Sequence, residues 1–88
     1  MNKTIYSQQS ECLRTTLVKM RTEAGLTQRQ LAERMNREHS LISRLELGER
    51  RLDFIELVWL CKACDANPDK VIRQLLKKFE EMAAKQSS

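Results

Sequence analysis

Glycine and proline are almost absent: the 88 residues hold two Gly and one Pro. With so few backbone breakers, and with Leu, Ala, Lys, Glu and Gln well represented, a strand-rich fold is disfavoured and an all-α chain is expected. Cysteine is limited to Cys12, Cys61 and Cys64. An odd number of thiols without a secretory signal argues against a disulfide framework. Cys61-Lys62-Ala63-Cys64 offers two ligands where a structural zinc needs four, and no second Cys or His pair stands at a suitable spacing, so no metal is expected. Long apolar runs are lacking too. The richest stretch, Phe54 to Cys64, is interrupted by Glu56 and Lys62 and is too short to cross a bilayer. The N-terminus lacks a signal-peptide core, so a cytoplasmic location is expected. There is one His, no glycine-rich phosphate loop, no paired carboxylates that can be placed together and no nucleophile with an evident base. An enzyme is not expected, and neither is a cofactor.

What remains is a mildly basic chain, with 16 Lys and Arg against 12 Asp and Glu for a net charge of +4, of a length that suits one domain with a modest core. Residues 1 to 7 have no hydrophobic period and read as an arm. From about residue 8 to 24, Leu13, Leu17, Met20 and Ala24 recur at helical spacing, with Gly25 in the C-capping position. Thr27 and Gln30 form a capping box for a second helix carrying Leu31, Ala32 and Met35 on one face. A third helix carries Leu41, Ile42 and Leu45 on one face and ends near Leu47-Gly48. Small Ala32 lets the two helices cross closely, as in a helix-turn-helix spanning about 27 to 47. Placing side chains at 100° intervals leaves His39, Ser40, Ser43 and Arg44 on the free side of the third helix, a candidate face for reading DNA bases.

Asp53 and Glu56 open a fourth helix whose apolar residues cover nearly its whole circumference, which predicts burial on more than one side. Asn67-Pro68-Asp69 opens a fifth helix, to about residue 84, with Val71, Ile72, Leu75, Leu76, Phe79, Met82 and Ala83 in its stripe. That stripe runs past the compact core of about residues 8 to 72. The expectation is a homodimer contact through Trp59, Leu76, Phe79 and Met82. The final KQSS is expected to fray.

Several of these residues carry a family resemblance. Thr27-Gln28, Leu31-Ala32, Ile42-Ser43 and Glu46-x-Gly48 stand as they do in the phage-repressor (Cro/Xre-type) helix-turn-helix regulators, and the resemblance covers roughly residues 11 to 72. It departs from the pattern at the turn, where Asn36, Arg37 and Glu38 replace the usual Gly, small apolar residue and Ser. Asn tolerates the left-handed conformation that Gly supplies. Glu38 is a poorer N-cap than Ser and would repel phosphates, yet a carboxylate suits a helix N-terminus and can accept from cytosine N4; both readings stay open.

The resemblance implies a lambda-repressor-like bundle of about five helices, here with an extended last helix, that acts as a sequence-specific transcriptional regulator. It implies a structural pair between Arg21 and Glu46, phosphate contact by Gln28, and a loop with Arg50 and Arg51 beside the DNA backbone. Arg29 and Arg37 complete the expected phosphate contacts; Arg44, with His39, Ser40, Ser43 and Glu38, makes up the expected base contacts. Arg44 is the strongest reader, because its fork can engage guanine O6 and N7 together. The expected partner is a double-stranded operator, an inverted repeat bound by a homodimer of repressor type. Two alternatives keep the same module: an antitoxin with a toxin as its protein partner, or a restriction-modification controller. A third makes it a protein-interaction module that binds no DNA.

Overall fold

The computed structural model describes residues 4–87, and the expectation of an N-terminal arm falls partly outside them, at residues 1–3. Five helices follow one another: α1 (Ile5–Glu23), α2 (Gln28–Arg34), α3 (His39–Leu47), α4 (Phe54–Ala63) and α5 (Pro68–Ser87). Among the described residues there is no strand.

Local signals account for most of the helix ends. Thr4 Oγ accepts the Ser7 amide and starts α1 three residues earlier than the apolar period predicts, so residues 5–7 are helical and no arm. Thr27 and Gln30 form a reciprocal capping box on α2, and Asp53 and Glu56 form one on α4. At α5 the Lys70 amide reaches Asn67 Oδ1 at 3.4 Å, and the helix continues to Ser87, so residues 85–87 of the segment expected to fray are helical and Ser88 lies outside the described residues. Asn36, with φ of 54°, makes the left-handed turn between α2 and α3. There the Arg37 amide donates to the Ala32 carbonyl at 2.9 Å, closing the end of α2.

The core sits where α1, α2, α3 and α4 converge. Leu17 and Met20 of α1 meet Leu31 and Ala32 of α2, Leu41, Ile42 and Leu45 of α3, and Leu60, Cys61 and Cys64 of α4. Ala32 is 2% exposed, so the α2–α3 crossing is tight at that point. Helix α5 lies across α1 and α4 and contributes buried Leu75.

The two outer helices divide their apolar residues between the bundle and solvent. Helix α4 packs against α2 and α5 and buries Glu56, Leu60 and Cys61, while Phe54, Ile55 and Trp59 stand 60 to 67% exposed. Its polar Glu56 is buried and its aromatic residues are not, the reverse of what hydrophobicity alone would order. Of the four residues expected at a dimer contact, Trp59 and Leu76 are exposed, but Phe79 and Met82 are half-buried. Phe79 lines a cavity with Tyr6, Gln9 and Leu13 of α1, and Met82 lines another with Gln8 and Cys12. The stripe of α5 is wide enough to serve α1 of the same chain with one edge and solvent with the other.

Glycines at positive φ end α1 and α3, and their surroundings differ. A Cβ on Gly25 (φ 74°) would meet nothing within 4 Å, whereas one on Gly48 (φ 78°) would lie 2.8 Å from a guanidinium nitrogen of Arg14. Gly25→Ala is therefore expected to cost about 1 kcal/mol, the left-handed strain alone. Gly48→Ala costs more, because Arg14 must also move, and the excess disappears in the Arg14→Ala background. Urea midpoints of the parent, the three single variants and the double variant check this; equal losses at both glycines would remove Arg14 from the account.

Candidate nucleic-acid interface

Helix α3 is nine residues long, and its two faces have opposite fates. Leu41, Ile42 and Leu45 are buried, while His39, Ser40 and Arg44 are exposed and Ser43 is half-buried at the edge. Glu38 is the N-cap by backbone geometry and is exposed, but its side chain accepts no capping hydrogen bond.

A network of hydrogen bonds holds the back of this helix. Glu46 Oε2 accepts from Arg21 Nε at 2.7 Å, and Oε1 accepts both from Arg21 Nη2 at 3.0 Å and from Gln28 Nε2 at 2.9 Å. The third guanidinium nitrogen, Nη1, donates to the Leu26 carbonyl at 2.9 Å. One carboxylate thus ties α3 to α1 and to the first residue of α2, through a pair whose side chains are only 14% and 9% exposed. The bond to Glu46 raises the Arg21 guanidinium above its ordinary pKa, overriding the opposing effect of burial. Gln28, expected at a DNA phosphate, is half-buried and donates to this carboxylate.

The second network joins the turn before α3 to the loop after it and has no counterpart in the sequence reading. Arg50 donates Nη1 to Glu56 Oε1 and Nη2 to Glu56 Oε2, both at 2.8 Å, and Arg37 Nη1 stands 3.6 Å from Oε2. Glu56 Oε1 also accepts the Asp53 amide as part of the capping box. The Arg50 bonds, helped by the Asp53 amide and by both arginine charges, hold the Glu56 carboxyl below its ordinary pKa in spite of burial. Glu56 looks in the sequence like an ordinary capping residue in a first turn. Nothing local to it announces partners 6 and 19 residues earlier.

Around α3 the structure brings some expected residues together and leaves others apart. Arg37, Glu38, Ser40, Arg44 and Arg50 line one shallow polar cavity of about 580 Å³ at the start of α3. His39, Ser43, Gln28, Arg29 and Arg51 are not part of its lining. Arg29 is exposed on α2, and Arg51 is exposed with its guanidinium 5.5 Å from the centre of the Tyr6 ring. Tyr6 and Arg14 are further residues near this loop that the sequence pattern does not single out, because both are brought there by α1. Cys61 and Cys64 are buried in the core, where desolvation pushes both thiols up.

The helix-turn-helix family model matches residues 13–75, close to the span of the sequence resemblance. The chain belongs to the Xre/Cro-type helix-turn-helix family. That family consists of DNA-binding transcriptional regulators and is not a catalytic one. A solved XRE-family-like protein from Pseudomonas syringae pv. tomato superposes with a TM-score of 0.80 at 34% identity, covering 84% of this chain and 90% of its own. The clp gene regulator ClgR from Corynebacterium glutamicum superposes with a TM-score of 0.69 at 26% identity, covering 90% of this chain and 84% of its own. Among curated proteins no match is found. No helix of this Xre-type chain, among the described residues, is long and apolar enough to cross a membrane.

The two carboxylates generate separate expectations. Glu46→Ala strands a largely buried Arg21 and frees Gln28, and is expected to lower stability by about 3 to 5 kcal/mol, seen as a lower urea midpoint. Glu56 has a folded pKa below its unfolded one, so its contribution is complete above the unfolded carboxyl range and fades as pH falls through the folded pKa. Glu56→Gln should therefore be clearly less stable than the parent at neutral pH, with the gap narrowing as acid is added. A gap that is constant from neutral pH to acid would show that the charge on Glu56 contributes nothing.

Proposed function

We propose that this chain is a sequence-specific double-stranded DNA-binding regulator, working as a repressor-like homodimer in the cytoplasm, that inserts α3 into the major groove. The observation that carries this reading is the free face of α3. His39, Ser40 and Arg44 are exposed together on a helix whose other face is locked by core packing and by Glu46. Arg44 has no partner among the described residues, so its fork is available for guanine. Ser40, Ser43, His39 and Glu38 add shorter-range contacts to base edges. Arg29, Arg37 and Arg51 provide charge for phosphates around that helix, and Gln28 positions a phosphate from the α2 N-terminus. Arg50 serves the loop mainly as a strut to Glu56 and contributes its charge secondarily.

The dimer uses the uncovered apolar surface. Phe54, Ile55 and Trp59 on α4 and Leu76 on α5 are more than half exposed, an arrangement that a second copy of the chain would cover. Phe79 and Met82 contribute to it only with the edges that α1 leaves open.

Selection of the purified protein against random-sequence DNA at near-physiological salt tests the reading. An inverted repeat with half-sites about one helical turn apart is the expected product. Arg44→Ala is expected to lose about 1 to 3 kcal/mol on that operator and much less on random DNA. With about three cationic phosphate contacts per subunit, log affinity should fall against log salt with a slope near −5. No enrichment together with a flat salt response would overturn the reading and favour a protein-interaction role.

A further inference from the structure

The cavity that Phe79 lines with Tyr6 and Leu13, of about 360 Å³, is a half-open cleft between α1, the end of α3, the α3–α4 loop and Phe79 of α5. Its walls are chemically divided. Leu13, Leu17, Leu52 and Phe79 form an apolar wall, Arg14, Arg50 and Arg51 line the cavity as well, and no carboxylate side chain lines it.

The three arginines are not equivalent. Arg50 has its fork occupied by Glu56, and Arg51 lies over Tyr6. Arg14 is half-buried and packs into the space that Gly48 leaves by lacking a Cβ, yet among the described residues it makes no hydrogen bond or ion pair. A guanidinium drawn partly out of water without an acceptor is a site for an anion, and two parallel N–H donors match a carboxylate. A phosphate would suit the charge but not the leucine and phenylalanine wall. The volume lies near the lower end of the range for small-molecule sites, about 300 to 1,000 Å³, enough for a short hydrocarbon or single ring and too small for a nucleotide.

We propose that this cavity binds a small amphipathic monocarboxylate, its oxygens on Arg14 and its hydrocarbon against Leu13, Leu17 and Phe79. The site itself does not depend on the DNA-binding reading, but its consequence rests on it. Leu45 and Gly48 at the end of α3 and Arg51 in the following loop are shared walls, so a bound carboxylate cancels positive charge beside the loop and opposes DNA binding.

Octanoate is the probe, with octanamide as the neutral control of the same shape. Amide chemical shifts of the full-length chain, recorded without DNA, are expected to move saturably around Ser10, Leu13, Gly48 and Leu52, with Kd of about 0.1 to 1 mM. Octanamide and the Arg14→Gln variant should bind about tenfold more weakly, the loss of one charge-assisted contact, and Arg14→Lys should fall between. The same spectra report whether each variant is folded. Emission from Trp59, the only Trp, should not change. Absence of saturable shifts, equal octanoate affinity in Arg14→Gln, or shifts centred on Phe54 and Trp59 would each overturn the site. If octanoate binds as expected but DNA affinity is the same with and without it, the site stands and the coupling is wrong. A chain that binds octanoate but no DNA would fail the DNA-binding reading alone.

Discussion

The contact between Arg21 and Glu46 is the constraint on which the exposed face of α3 depends. Helix α2 has seven residues and α3 has nine, both short of the ~12 to 15 at which an isolated helix holds in water. Tertiary packing must therefore hold them. The seam of Leu31, Ala32, Leu41, Ile42 and Leu45 supplies adhesion, but apolar contact is not directional and tolerates small rotations. A guanidinium fork meeting a carboxylate in two parallel bonds tolerates much less. By also accepting from Gln28, Glu46 makes the rotation of α3 common to the start of α2 and the body of α1. Every residue of α3 that faces solvent inherits its direction from that arrangement.

The arginines divide into those that build the domain and those it leaves free. Arg21 and Arg50 end in bidentate contacts with Glu46 and Glu56, and Arg34 donates to the Ala63 carbonyl at 2.8 Å, tying α2 to the end of α4. Arg29 and Arg44 remain exposed without partners among the described residues. The net charge of +4 does not show this division: Glu46 and Glu56 are taken up by structural arginines, while Arg29 and Arg44 keep their charge at the surface. Glu56 differs from Glu46 in what it supports. It caps α4, grips the loop through Arg50 and draws in Arg37 from the turn before α3, so one buried carboxylate organises both segments that flank the helix.

The apolar surface shows a comparable division. Cys61 and Leu60 are almost fully buried, whereas Trp59 and Phe54 of the same helix lie open. Helix α5 closes one flank of the bundle with Leu75 and leaves Leu76 outside. A helix with apolar residues on all sides needs more cover than one neighbour gives, and α4, packed on α2 and α5, still leaves Phe54, Ile55 and Trp59 open.

The helices and their order were legible in the sequence, since caps and apolar periods act over three or four residues. Thr27 with Gln30, Asp53 with Glu56, and Asn67 before Pro68 each mark a helix start, and the core of α2 and α3 follows from residue spacing. The Arg21–Glu46 contact was accessible only through resemblance to a family, not from spacing, because its partners are 25 residues apart. The early start of α1 at Thr4, the capture of Arg50 and Arg37 by Glu56, the seat of Arg14 against Gly48 and the share of α5 taken by α1 were decided by the tertiary structure. Except for the Thr4 cap, each brings together residues from different elements of the chain. Sequence alone determined which segments are helical and which faces are apolar; which charges are spent inside the domain, and which remain outside, was decided only when the helices packed.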